Sequence, residues 1–367
     1  MEFTIDRTDL VTLAKRAKSI APSKAPSAEQ QILTCCVLSA NISGLVVTAA
    51  DKEMAYIGGH PASVTKPGKV AINAADLMSA ASALPSGKVS ATLNDRMKLT
   101  LTNGKSKFVL PGLDPANYPV APTPDKDPAV FRVDSNQLAR IIAQSKISAG
   151  GAAFALDGMH PEYIDGKLRL ASTDGKRMTW SQCVAESTGV PSAGCILPLR
   201  AMDEVAGMVE DVDGPVTLAI GRRVAVLTLP GLSLSFLLKE TEFPQYHALI
   251  PTSFSRSFAA NRSQWLDAVG RASTFCVNDN IMRMSFGAEG VTMAASRADS
   301  GSATVETDGE FKGETTDTYI VSGSLKDALG AIEEETVTMK FGGDSDPFVI
   351  DSGDAQFVLM PCRAPGQ

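Results

Sequence analysis

The chain has no long apolar run, no cysteine pair at metal or redox spacing, only three histidines and no basic surplus. Each absence removes a class of function. Without about 18 to 20 consecutive apolar residues, no segment reads as a membrane span. The charged start Met-Glu-Phe-Thr-Ile-Asp-Arg has no signal-peptide core, so a cytoplasmic location is expected. Cys35, Cys36, Cys183, Cys195, Cys276 and Cys362 form no C-x-x-C pair and lie mostly in apolar, strand-like runs. They predict buried, reduced thiols and argue against a zinc site or a disulfide framework. His60, His160 and His247 have no partner at helical metal-ligand spacing. The chain also lacks G-x-S-x-G, a P-loop, a Rossmann glycine fingerprint and H-E-x-x-H. No catalytic residue, metal or cofactor is therefore expected, and Asp174-Gly175-Lys176 reads as a tight turn. A net charge of −7 argues against a protein that grips nucleic acid tightly.

What is present is a globular composition, with 44% hydrophobic and 20% charged residues, which excludes the disordered class. A length of 367 residues predicts two or three domains. The chain reads as one plan used three times: a helix, a β-rich stretch, a second helix and another β-rich stretch. Gly44-Leu-Val-Val-Thr-Ala-Ala-Asp51 matches Lys167-Leu-Arg-Leu-Ala-Ser-Thr-Asp174 and Gly290-Val-Thr-Met-Ala-Ala-Ser-Arg297, at a constant interval of 123 residues. Second helices are expected at 76–84, 202–209 and 325–332. Alternating strands such as Val89–Leu93 and Val216–Ile220 follow them. Proline-rich joints at 119–128 and 244–251 mark the boundaries. So long a period suits repeated whole domains, and strands that pair across each junction would cover exposed sheet edges.

The first helix of each copy leans basic inside an acidic chain. Lys15, Arg16 and Lys18 lie off the stripe of Leu10, Leu13 and Ala17. Arg140 and Lys146 lie off that of Leu138, Ile141 and Ile142, and Arg262 and Arg271 flank Trp265, Leu266 and Val269. Each helix alone reads as a solvated face. Three together suggest a sparse track for phosphates, with Arg200 opening a less basic second helix.

Four separated strings carry a resemblance: Leu156-Asp157-Gly158, Thr173-Asp174-Gly175-Lys176-Arg177-Met178, Phe243-Pro244-Gln245-Tyr246 and Val358-Leu359-Met360-Pro361-Cys362-Arg363. With the threefold plan, they resemble the bacterial sliding clamp family, the beta subunit of DNA polymerase III, over the whole chain. The resemblance implies an α+β fold of three repeated clamp domains, at 1–125, 126–252 and 253–367. On that resemblance helices would line the inside and antiparallel sheets the outside, and the chain would form half of a six-domain ring. It further implies a homodimer that encircles double-stranded DNA without reading sequence, as a processivity factor in DNA replication. Such a clamp is a non-catalytic subunit of a polymerase holoenzyme. Its partners are the DNA polymerase III alpha subunit, clamp-loader subunits and other proteins with a clamp-binding motif; no membrane is involved.

The same resemblance assigns residues. A partner-peptide pocket would be made by Leu156, Thr173, Gly175, Lys176, Arg177, Met178, Pro244, Leu249, Val358, Leu359, Met360, Pro361 and Arg363. DNA would be faced by Lys15, Arg16, Lys18, Lys24, Arg140, Lys146, Arg200, Arg262 and Arg271. The ring interface would use Phe108, Thr274 and Phe275. The chain departs from the family pattern at Lys176 (where many clamps have His), at Ala248 and Asp76 (where a basic residue is usual), at Cys362 and in the tail 364–367. These departures keep open a clamp-like scaffold that binds partner peptides without conferring processivity.

Overall fold

The computed structural model describes residues 1–25, 27–150, 157–276, 281–297, 301–343 and 345–364. The chain divides into two compact units. One is Met1–Arg132 with Ser187–Gly189 and Asp211–Leu238; the other is Val133–Glu186 with Val190–Glu210 and Lys239–Gln367. The middle third of the chain is thus shared out. Its strands Pro215–Ile220, Val224–Leu229 and Leu232–Leu237 lie in the first unit and its helices in the second.

Among the described residues six α-helices punctuate the strands: α1 (Arg7–Ile20), α2 (Ala74–Ala83), α3 (Ser135–Lys146), α4 (Leu199–Val209), α5 (Arg262–Ala272) and α6 (Ser322–Ala331). Helix α1 forms because Leu10, Leu13, Ala14, Ala17 and Ile20 recur at three- and four-residue steps and bury one face. Its start is fixed by Asp6, the last residue of the preceding strand, whose carboxylate accepts the Thr8 N–H at 3.0 Å. The same device opens α3, where Asp134 accepts from Gln137 at 3.1 Å, and α5, where Asn261 accepts from Gln264 at 3.1 Å. An Asp or Asn that ends a strand therefore switches the chain into the first helix of each repeat. The helices pack in pairs, α1 on α2, α3 on α4 and α5 on α6.

In the first unit Met54–His60 pairs antiparallel with Leu232–Leu237, placing Tyr56 opposite Leu234 and Met54 opposite Phe236. In the second, Arg177–Val184 pairs antiparallel with Ala355–Leu359, placing Met178 opposite Val358. The first pairing joins the first repeat to the second, and the other joins the second to the third. Backbone bonding continues through both, so neither repeat ends in an open edge there. The core of the last third is aromatic. Trp265 stands edge-on to Phe258 at 5.0 Å, and Phe286, Phe341 and Phe348 continue the cluster. None of the helices is long and apolar enough to cross a membrane among the described residues.

Candidate functional site

The pairing of Arg177–Val184 with Ala355–Leu359 brings together strings that lie far apart in sequence. The turn that precedes it is closed by its own side chains. Asp174 Oδ1 accepts the N–H groups of Lys176 (2.9 Å) and Arg177 (3.0 Å). Thr173 Oγ1 accepts the Gly175 N–H at 3.1 Å and donates to the Arg177 carbonyl at 2.8 Å. Gly175 sits at φ +86°, in the left-handed region where a side chain is strained. The T-D-G-K-R string is therefore a self-bonded turn, and Asp174 serves it structurally.

Beyond the turn, strand alternation sorts the side chains. Met178 and Val358 face one way and join Ala171, Tyr246 and Val349 in an apolar cluster, against which Trp180, Phe243, Ile250 and Phe254 pack. This cluster is the floor of the candidate groove. Leu359, expected beside Val358, points to the opposite face. It is 1% exposed inside the aromatic core of the last third, so it supports that core and does not line the groove. Adjacent strand residues face opposite ways, so Val358 and Leu359 part once the strand is in place.

One wall is the segment around Pro244. Leu249 is 68% exposed there, beside the buried Tyr246. Side chains fasten this wall. The Tyr246 hydroxyl donates to Glu162 Oε2, His247 Nε2 lies 3.3 Å from Glu162 Oε1, and Phe243 stacks on His160 at 5.0 Å. Burial, with the Glu162 bond second, raises the Tyr246 phenol pKa, so it stays a donor. The other side is the C-terminal arm. The Met360 N–H bonds the Lys176 carbonyl at 3.0 Å and the Cys362 N–H bonds that of Tyr319 at 2.7 Å. Met360 is 42% exposed, Pro361 half-buried and Arg363 exposed. Lys176 and Gly175 are exposed at the rim. Leu156 lies outside the described residues. Ala171, Tyr246 and Val349 were not among the expected groove residues. Ala171 is two residues before Thr173 on the same strand face, and Val349 is the register partner of Val358, so strand periodicity was the available signal.

An apolar floor made by two joined repeats, with exposed apolar side chains on both sides, is suited to a short extended peptide. Three family models tile the chain: the N-terminal domain of the DNA polymerase III beta subunit at residues 1–122, its central domain at 132–245 and its C-terminal domain at 247–363. The chain belongs to the DNA polymerase III beta subunit family. It is 24% identical over 380 residues to the beta sliding clamp of Staphylococcus epidermidis, covering 99% of both chains. It is 25% identical over 375 residues to that of Caulobacter vibrioides, covering 99% of this chain and 100% of the other. The DNA polymerase sliding clamp structure from Bacillus subtilis matches the fold with a TM-score of 0.90 at 19% identity, over 99% of each chain.

The cations that the family resemblance directs toward DNA fall into two groups in this beta-subunit chain. Lys15, Lys18, Lys24 and Arg200 are exposed. Arg16 is not: it is 8% exposed, and its guanidinium bonds Asp211. It faces the first unit's interior because it is three residues after Leu13 and four before Ile20, on the buried side of α1. Arg140 is held by Gln137, by Gln144 at 3.0 Å and by the Gln182 carbonyl at 3.0 Å. Lys146 pairs with Asp203 at 2.6 Å and Arg271 with Asp267 at 3.3 Å. Arg262 reaches the Leu329 carbonyl at 3.4 Å. Lys18, Lys146 and Arg271 stand in the last turns of α1, α3 and α5, where a cation also offsets the helix dipole. The track is therefore sparser than the count of Lys and Arg suggests.

Of the residues that the resemblance assigns to a ring interface, half-buried Phe108 lies on the strand Ser106–Leu113. Thr274 and Phe275 form the short 3-10 turn Ser273–Phe275 after α5, where the Phe275 ring abuts Gly301. Four thiols, Cys35, Cys36, Cys183 and Cys195, are buried, while Cys276 and Cys362 are partly exposed. Burial pushes Cys195 up to about 11 and Cys183 up to about 12. Among the described residues no cluster of His, Cys, Asp and Glu is arranged to hold a metal ion.

Proposed function

We propose that the chain is a DNA sliding clamp: a homodimeric ring that encircles duplex DNA and tethers a replicative polymerase to it. The observation that carries this reading is that successive repeats are joined in one way, by antiparallel strand pairing, at both junctions. Two further edges are available for a third join of that kind between copies. Among the described residues, Ser106–Leu113 pairs along its length with Lys98–Asn103, but on its other edge only through Gly112 and Leu113. Gly301–Asp308, among the described residues, ends its four-stranded sheet, bonded only to Gly290–Arg297. Joining these edges reciprocally between two copies, with Phe108 opposite Thr274 and Phe275, makes an isologous pair and six domains in a ring. On this reading domains span 1–125, 126–252 and 253–367.

A ring stays on DNA by topology, so it needs little contact free energy. The net charge of −7 and the few exposed cations fit sliding better than gripping. The groove formed by Met178, Val358, Pro244, Leu249 and Met360 takes the clamp-binding peptides of the polymerase alpha subunit, the clamp loader and other partners. Linkage to the ring then raises the local concentration of polymerase at the primer end. The chain performs no chemistry and acts in the cytoplasm as a non-catalytic holoenzyme subunit. The test is retention after loading on nicked circular DNA, before and after linearisation. A clamp stays on the circle and runs off the linear form; equal loss from both refutes encirclement.

A further inference from the structure

The join of the first repeat to the second is built like the groove and has a cavity of its own. Asp51 Oδ1 accepts the N–H groups of Glu53 and Met54, both at 2.7 Å, as Asp174 does for Lys176 and Arg177. The Leu237 N–H bonds the Glu53 carbonyl at 2.8 Å, as the Met360 N–H bonds that of Lys176. Each residue of the first bond stands 123 residues before its counterpart in the second. The wall here includes Pro119 and Val120, and Tyr118 pins it: its hydroxyl accepts the Ala50 N–H at 2.9 Å and donates to the Cys35 carbonyl at 2.7 Å. Beside the turn lies a cavity of about 540 Å³, within the size range of small-ligand sites. Ile32, Leu33, Pro119 and Val120 supply its apolar lining, and Val120 is 90% exposed. We propose that this cavity is a second peptide site, which takes an extended partner segment carrying an aliphatic anchor and an adjacent carboxylate.

The lining selects that occupant. Aliphatic walls favour an aliphatic side chain, and covering Val120 removes a large exposed apolar group from water. Gln30 and Asn117, exposed at the cavity, each carry a donor and an acceptor that suit the main chain of an extended segment. Lys52, exposed on the turn, also lines the cavity and favours a carboxylate. Asp51 lines it too, but is half-buried with Oδ1 committed to the turn. Lys52-Glu53 stand where the groove has Gly175-Lys176, so the two sites present different charges at equivalent positions. The cavity goes beyond the groove reading, because its lining residues all belong to the first unit and none to the groove.

The experiment uses the full-length protein and a labelled probe, fluorescein-Gly-Gly-Leu-Leu-Asp-Gly, with its Asn twin. Anisotropy is read in Leu249→Glu, which closes the groove of the other join, so that remaining binding reports on this cavity. There the probe still binds, and adding Val120→Glu raises its Kd about tenfold, the size of one lost aliphatic contact. Adding Lys52→Gln raises the Kd of the Asp probe about three- to fivefold and leaves that of the Asn twin unchanged, while Lys52→Arg keeps the preference for Asp. Thermal melting matches the wild-type protein in each variant, since Val120 and Lys52 are exposed. Loss of all binding in Leu249→Glu overturns the second site and leaves the groove standing. Residual binding that neither Val120→Glu nor Lys52→Gln weakens overturns it as well. Wild-type protein that ignores this probe but binds an apolar peptide through Leu249 overturns the second site alone. Association beyond the dimer that Val120→Glu abolishes assigns the cavity to a second copy and overturns the peptide.

Discussion

Replacing Leu249 with Ala separates binding from folding. Leu249 is 68% exposed, so in the free protein its side chain contributes little to the core. Surface truncation away from special features changes stability by no more than about 0.5 kcal/mol. A peptide seated on the floor of Met178 and Val358 would cover the exposed portion. Full burial of a Leu is worth about 1.5–3 kcal/mol, and two-thirds of that is about 1–2 kcal/mol. Ala keeps only the β-carbon, so a loss of about 1–1.5 kcal/mol is expected, or roughly a five- to twelvefold rise in Kd. Fluorescence anisotropy with an apolar peptide measures the affinity, and thermal melting measures the fold. An unchanged Kd refutes Leu249 as a groove wall. A substantial fall in Tm refutes the claim that this residue is outside the core.

Arg16→Ala should destabilise the protein by about 1–2 kcal/mol through lost packing and its Asp211 bond, while Lys18→Ala should leave the urea midpoint unchanged and reduce the salt slope of DNA binding; the reverse pattern would show the two misassigned. Trp265→Ala should cost about 3–5 kcal/mol in urea unfolding, because the fully buried indole anchors the aromatic core; a loss below 1 kcal/mol in that range would contradict its placement. The Lys167 hydrogen bond, first among its causes, lowers the folded-state pKa of Asp354. Its stabilising contribution is present above the ordinary carboxylate pKa of about 3.9 and is lost as pH falls through the lower folded value. Asp354→Asn should therefore flatten the urea midpoint between neutral pH and pH 3, and an unaltered slope would count against the pairing. In native protein at pH 8, a thiol reagent should modify at most Cys276 and Cys362 quickly; rapid reaction of Cys183 or Cys195 would contradict their burial.

Much of the fold was legible because its signals are periodic. The aligned runs at Gly44, Lys167 and Gly290 form the strands Gly44–Ala50, Lys167–Thr173 and Gly290–Arg297. The expected second helices occur as Ala74–Ala83, Leu199–Val209 and Ser322–Ala331, starting two or three residues earlier than apolar periodicity suggested. Asn73 explains the first of these starts, since it accepts from both Ala75 and Asp76. The groove was less legible. Its strings came from a family resemblance, and which members join the apolar cluster around Met178 depends on strand phase: Val358 does and Leu359 does not.

The sequence by itself determined the threefold plan and the T-D-G-K-R turn, because alternation and a left-handed glycine act over a few residues. Only the tertiary structure decided which charges are free. Arg16 meets Asp211, Arg177 meets Asp327 and Arg140 meets the Gln182 carbonyl across 195, 150 and 42 residues. A charge's availability depends on the nearest opposite charge in space, and no local pattern encodes that distance.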